Sequence, residues 1–258
     1  MANKEQFRQL ENGVENWNQW RSIHPDEPID LSRTKLIGWM LNGANLAHAN
    51  LEGTDLSGAS LHQANLTEAN LKGTQCLGAD LTQAILNGAN LEGANLSRVD
   101  AQGGQFQSSC LRGASLTGAE LAHTCFDGAN LQSAKLDRVD LSHAQLMSTQ
   151  LQGASLAASR LMYANLTAAN LQGANLTETK FNRSNLTKVN LTNAMLESTN
   201  FLGANLSGAI FTGTDRRQAN LSGTTLEDTI LPDLLPDEAL EDYSPEACAQ
   251  AALDDLLS

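Results

Sequence analysis

Aromatic residues are scarce in this chain and make up only 4% of its 258 residues. A core with few large rings has to be built from small aliphatic side chains. The chain also lacks an uninterrupted apolar run long enough to span a bilayer, and its amino terminus has none of the basic and apolar character of a signal peptide. These absences favour a soluble, cytoplasmic protein without membrane contact.

The residues that usually carry chemistry are few and dispersed. The four cysteines show neither Cys-x-x-Cys spacing nor a disulfide framework, which favours reduced thiols. The five histidines form no His-Glu-x-x-His pattern, and no glycine-rich loop ends in Lys-Ser or Lys-Thr. We therefore predict a non-enzymatic protein that holds no metal and no cofactor.

Most of the negative charge lies in one segment. The net charge is −13, and residues 226–258 contribute ten acidic residues and no lysine or arginine. The rest of the chain therefore carries a net charge of only −3. The main body is thus not a strongly acidic ligand, and we expect no direct binding to nucleic acid.

What the sequence has in abundance is a repeat of five residues. From Leu31 to Leu231 the same register holds without insertion or deletion, and leucine occupies most of the repeated positions. A small residue stands two positions before each leucine, as Ala44 does before Leu46. In an extended chain both side chains share one face, and the frequent glycine two residues past the leucine permits a turn. Repeated turning of this kind predicts a β-solenoid.

The length of one winding follows from side chains that match twenty residues apart. Phe106 corresponds to Phe126, and Phe181 to Phe201. Paired aromatic residues, or neighbours of opposite charge, are favoured on adjacent strands. The same spacing gives a column that alternates in sign, formed by Glu52, Lys72, Glu92 and Arg112. Twenty residues and four sides per winding are therefore expected.

The phrases "ANLEG", "ADLTQ" and "ANLTE" resemble those of the pentapeptide repeat family, which is common in bacteria and abundant in cyanobacteria. The resemblance implies an all-β solenoid, a right-handed quadrilateral β-helix of about ten four-sided coils with short α-helical segments at both ends. We accordingly expect an amino-terminal helical cap at residues 1–30, the β-helix at 31–231, and an acidic tail with a short helix at 232–258.

Both ends of the repeat raise alternatives. At the amino terminus, Phe7, Leu10, Val14 and Trp17 fall at helical spacing and predict one helix that caps the first winding, or else binds a partner. At the carboxy terminus, Ser244-Pro245-Glu246 resembles a helix start. That helix would cap the last winding, form a homodimer as the family resemblance suggests, or stay free.

One column of outward residues stands out as a candidate partner-binding face. Like charges on adjacent strands repel, so stacked carboxylates are either exposed acids that solvent tolerates or a surface relieved by a partner. The same face also holds side chains that stand two positions after a leucine, among them His123 and His143. A metal site at these two histidines would lack a third ligand. The face comprises Asp80, Asp100, Glu120, Asp140, Arg160 and Lys180, with His123, His143, Tyr163 and Arg183 beside them.

Irregular positions give further expectations. Residues 98–110 stay on the five-residue grid, but Ala101 and Gly104 leave the core thin, so we expect Phe106 to lean into the space. Arg216 falls on a core position, where a buried guanidinium is costly, which predicts a distorted winding or a side chain that reaches water. Cys76 on the same grid is expected to behave as a small hydrophobic residue.

The favoured function is a non-enzymatic scaffold, a rod that binds another protein whose identity the sequence does not give. The family resemblance suggests an alternative, a DNA mimic that protects or inhibits DNA gyrase or another topoisomerase. Broad negative charge would be required for that role, and the repeat carries little of it.

Overall fold

The computed structural model describes residues 3–231 of the chain. Two helices come first, α1 at Lys4–Glu11 and α2 at Val14–Ile23. Between residues 3 and 231, neither helix has the length and apolar character of a membrane-spanning segment. The expectations for the acidic tail at 232–258, its short helix and its role in capping or dimerisation, lie outside the described residues.

The rest of the described chain is a β-solenoid. Its extended pieces are too short for regular strands, and each contributes an isolated parallel bridge, the first from Asp30 to Asn50 and the last from Ile210 to Ile230. Every bridge joins residues twenty apart, and bridges recur at five-residue steps. This confirms the four-sided winding expected from the sequence.

The corners of the winding explain the five-residue period. The Ala44 N–H donates to the Leu41 carbonyl at 3.0 Å, which closes a turn whose third residue, Gly43, has a φ of 67°. Positive φ favours glycine because it has no Cβ atom. The same position holds non-glycine residues such as His143, with a φ of 63°, so repeated packing fixes the corner even without glycine.

The interior of the solenoid is a continuous column of leucine, phenylalanine and alanine. The rings of Phe106 and Phe126 stack with centroids 4.7 Å apart, and those of Phe181 and Phe201 with centroids 5.1 Å apart. Cys76 is buried in this column, and burial raises the pKa of its thiol to about 12. It therefore packs as a small hydrophobic residue, as predicted.

The thin stretch of the core is filled as the sequence suggested. Ala101 and Phe106 are both buried. A Cβ atom placed on Gly104 would lie 3.0 Å from Phe106 Cε2 and 2.8 Å from the Ala101 carbonyl oxygen. The ring of Phe106 therefore occupies the room that an alanine side chain at position 104 would need.

The amino-terminal segment corrects one prediction, because it forms two helices and not one. Gly13, with a φ of 100°, separates α1 from α2. Leu10 and Trp17 are buried, and Phe7 and Val14 pack partly buried against the same core. The apolar stripe thus continues across the break because both helices face the first winding.

Arg216 lies in the one winding where pairing is irregular. Within residues 3–231, Met195 has no bridge to Asp215. The Ser198 N–H donates to the Gln218 carbonyl, twenty residues ahead, whereas the corresponding hydrogen bond in the regular windings spans nineteen residues. The Arg216 side chain is half-buried, with its guanidinium carbon 5.8 Å from the centre of the Phe211 ring. The distorted winding expected from the sequence is therefore present, and the half-buried Arg216 side chain lies beside the core ring of Phe211.

Candidate functional site

The charged residues predicted to share one face do lie in a single column. Parallel bridges join each of them to the next, so their side chains follow one another on successive windings. At roughly 4.8 Å per winding, the column extends about 24 Å along the rod. We refer to it as the charged ladder, formed by Asp80, Asp100, Glu120, Asp140, Arg160 and Lys180.

The aspartates of the charged ladder also have a structural role that the sequence analysis missed. Asp80 Oδ1 accepts hydrogen bonds from the Thr82 N–H at 2.9 Å and from the Thr82 hydroxyl at 2.6 Å. Asp140 Oδ1 accepts the Ser142 N–H in the same way, at 2.9 Å. On other faces asparagine does this, as Asn65 Oδ1 does for the residue two positions later. The prevalence of Asn and Asp at this position was the available signal.

The charged ladder changes sign between Asp140 and Arg160. The Arg160 guanidinium donates to Asp140 Oδ2 at 2.5 Å, and the Asp140 side chain is only 16% exposed. Burial alone would raise the pKa of Asp140, but the hydrogen bonds from Ser142 and the charge of Arg160 outweigh it, and the pKa is lowered. This carboxylate is ionised at neutral pH.

Asp80, at the other end of the acidic run, is ionised for a similar reason. Burial opposes its charge, but hydrogen bonds from Thr82 and the neighbouring His62 lower the pKa below its ordinary value. Glu120, which lies between these aspartates, is exposed. The acidic part of the charged ladder therefore presents negative charge to solvent.

Beside the charged ladder, aromatic rings stack at the corner of the rod. The His123 and His143 rings have centroids 4.9 Å apart and planes 9° apart, and His143 and Tyr163 have centroids 5.0 Å apart and planes 8° apart. The Arg183 guanidinium donates to the Tyr163 hydroxyl at 3.2 Å. All four side chains are exposed, and we call them the ring stack.

The geometry of the two features suits contact with another macromolecule. The ring stack offers flat apolar and hydrogen-bonding groups held in fixed positions by successive windings, next to charges that are negative at one end and positive at the other. Among residues 3–231 no group of three His, Cys, Asp or Glu side chains is placed to hold a metal ion.

Comparison with known proteins identifies the repeat. The family model for pentapeptide repeats matches the chain in eight copies. The matched residues are 41–74, 74–113, 111–132, 124–161, 159–197 and 190–228. No match was found among curated proteins.

Solved structures with similarity to the chain include two from cyanobacteria. HetL, a pentapeptide repeat protein involved in heterocyst differentiation regulation in Nostoc sp. strain PCC 7120, is 30% identical, with 82% of this chain and 96% of HetL covered and a TM-score of 0.38. Rfr23 from Cyanothece 51142 is 26% identical, with 55% and 91% covered and a TM-score of 0.38. QnrB1, a plasmid-mediated fluoroquinolone resistance protein, is 18% identical, with 80% and 91% covered and a TM-score of 0.47.

Proposed function

Because the chain belongs to the pentapeptide repeat family, we propose that it is a non-enzymatic scaffold that binds another protein through the charged ladder and the ring stack. One observation carries the proposal: exposed rings and ionised side chains stand side by side on a corner that the windings hold rigid. Groups that are already ordered lose little conformational entropy when a partner binds.

The order of charges predicts the kind of surface that fits. The partner would place basic groups opposite Asp80 to Asp140 and acidic groups opposite Arg160 and Lys180, with an apolar or aromatic patch against Tyr163. Complementary charge fixes orientation and raises the association rate, while the aromatic contact supplies affinity.

The test compares two charge variants that differ only in the face they alter. Asp100→Asn with Glu120→Lys changes the charged ladder, and Asp127→Asn with Glu68→Lys makes the same charge change on another part of the rod. Asp127 is a matched control because its Oδ1 also accepts a backbone N–H, that of Met147 at 2.8 Å, and asparagine keeps that bond. Each tagged protein is used to capture partners from the source cells, and the captured proteins are quantified by mass spectrometry.

A partner recovered by the intact chain and by the Asp127 control, but lost with the charged-ladder variant, would support the proposed surface. Equal recovery of every partner by both variants would rule the surface out. Far-UV circular dichroism of both variants checks that the solenoid is intact.

The second candidate function is protection or inhibition of DNA gyrase by a DNA-like rod. The observation in its favour is the run of stacked carboxylates from Asp80 to Asp140. A supercoiling assay with purified gyrase and a quinolone tests it directly. Absence of both inhibition and rescue at micromolar protein would remove this function and leave the scaffold proposal untouched.

A further inference from the structure

A second surface lies at the amino-terminal end of the rod, where α1 and the first winding enclose an open cavity of about 700 Å³. The chain as a whole has a net charge of −13, yet this cavity is lined by four basic side chains and one carboxylate. Its lining consists of Lys4, Phe7, Arg8, Glu11, Ser32, Arg33, Thr34 and Lys35.

The positive charge of the cavity is not neutralised within the described chain. None of its four basic residues forms an ion pair with another residue of 3–231. The carboxylate in the lining belongs to Glu11. Asp55 lies near Lys35: hydrogen bonds from Ser57 lower the pKa of Asp55 most, and the charge of Lys35 lowers it further. The cavity therefore keeps a net positive charge available to an anionic ligand.

The backbone beside the cavity is open to a further strand. The helical segment satisfies two sides of the first winding, since the Asn3 N–H donates to the Asp30 carbonyl and the Asn45 N–H donates to Asn18 Oδ1, both at 2.8 Å. On the side of Lys35, the Lys35 N–H and the carbonyls of Lys35 and Ile37 have no partner among residues 3–231. Lys35 and Ile37 are both exposed.

The repeat itself shows how a peptide would use these groups. One winding further on, the Asp55 carbonyl accepts the Leu36 N–H at 2.7 Å, and the Ser57 carbonyl accepts the Gly38 N–H at 2.9 Å. The Asp55 N–H donates to the Thr34 carbonyl at 2.9 Å. A segment that is extended beside Lys35 and turns at the corner beside Ile37, as residues 34–38 do, would make the same three bonds, two as donor and one as acceptor.

We propose that this end of the rod binds an extended acidic peptide of a partner protein, which adds a strand at Lys35 and places its carboxylates among Lys4, Arg8 and Arg33. Exposed Ile37 and the Phe7 ring supply contacts for alternate apolar side chains. A second copy of this edge is disfavoured as the occupant, because it would bring the same lysine and arginine charges together.

The test uses labelled peptides of about eight residues with glutamate or aspartate alternating with apolar residues, titrated onto the full chain by fluorescence polarisation. We expect saturable binding that falls about tenfold in Arg33→Glu with Lys35→Glu. The matched control is Arg138→Glu with Lys135→Glu, because Arg33 and Arg138 share the left-handed turn position, with φ of 57° and 58°, and both lysines lie on the same side of the rod. Binding to the control should stay unchanged.

Peptide variants test strand addition without altering the protein. N-methylation of the two peptide nitrogens that donate to the Lys35 and Ile37 carbonyls should weaken binding about tenfold, and lysine in place of the acidic residues should abolish it. The proposal is overturned if no acidic peptide binds, if both protein variants lose binding equally, or if N-methylation has no effect.

Discussion

A single aspartate of the charged ladder makes two separable contributions. Asp140 uses Oδ1 to accept the Ser142 N–H and Oδ2 to accept the Arg160 guanidinium. Asparagine can keep the first bond but loses the ion pair, whereas alanine loses both. We expect Asp140→Ala to lower the free energy of unfolding by about 1 kcal/mol more than Asp140→Asn does, measured by urea denaturation. Equal losses would show that the turn bond contributes nothing.

The same aspartate predicts a pH dependence. Its pKa is lowered in the folded state, so its charged form stabilises the fold above the pKa of the unfolded chain, and this contribution is lost as pH falls through the folded pKa. The stability difference between the wild type and Asp140→Asn should therefore be largest at neutral pH and disappear as the pH falls through the lowered folded pKa of Asp140. A difference that persists in acid would assign the effect to packing and not to charge.

The thin part of the core gives a steric prediction. Gly104→Ala places a methyl group 2.8 Å from the Ala101 carbonyl oxygen and 3.0 Å from the Phe106 ring, and the predicted loss is about 1–3 kcal/mol in the free energy of unfolding. Phe106→Leu removes part of the ring, so the double variant should be less destabilised than the two single losses added together. Simple additivity in urea denaturation would show that the loss comes from the Ala101 carbonyl and not from the Phe106 ring.

Residue-level prediction from the sequence worked where volume or burial decided the outcome. The positions of Phe106, Cys76 and Arg216 followed from the five-residue grid. The double role of Asp140 could not be predicted in this way. The sequence shows that both Asn and Asp occur at this repeat position, but it does not show that one side-chain oxygen accepts a backbone N–H of the adjoining turn. The Arg183 bond to Tyr163 also required coordinates, since long side chains reach across windings in several ways.

At the scale of elements, the amino-terminal helices show both the strength and the limit of periodicity. The apolar stripe correctly indicated which residues face the first winding. It did not reveal the break at Gly13, because spacings of three and four residues continue unbroken from Leu10 to Trp17. The side chains that satisfy open backbone groups, such as Asn18, leave no periodic signal at all.

Trp17 tests how strongly these helices hold the end of the solenoid. It is fully buried, and its indole N–H donates to the Asn45 carbonyl at 2.8 Å. We expect Trp17→Ala to lower the free energy of unfolding by about 3–5 kcal/mol, and Trp17→Phe, which keeps most of the packing, by about 1 kcal/mol. Half-buried Trp20 provides the control, and a larger loss with Trp20→Ala would contradict the assignment.

At the scale of the whole molecule, the surfaces depend on which sides of the rod meet on successive windings. Every bridge joins residues twenty apart, whereas the core pattern repeats every five. Removing five residues therefore leaves the core in phase but turns everything beyond the deletion by one side. The sequence predicted this separation of periods, and it allows the surface to be broken without breaking the fold.

Deleting residues 146–150 places Asp140 beside Asn165 in place of Arg160, and so separates the acidic part of the charged ladder from its basic part. Deleting residues 191–195 is the control, because it makes the same cut beyond Lys180 and Arg183 and leaves the charged ladder and ring stack continuous. Both proteins should retain the far-UV circular dichroism of the solenoid. Only the first should lose the protein partner captured by the intact chain, since a rigid partner cannot follow charges moved to a neighbouring side. Capture that survives the first deletion would show that the partner contacts only one half of the surface.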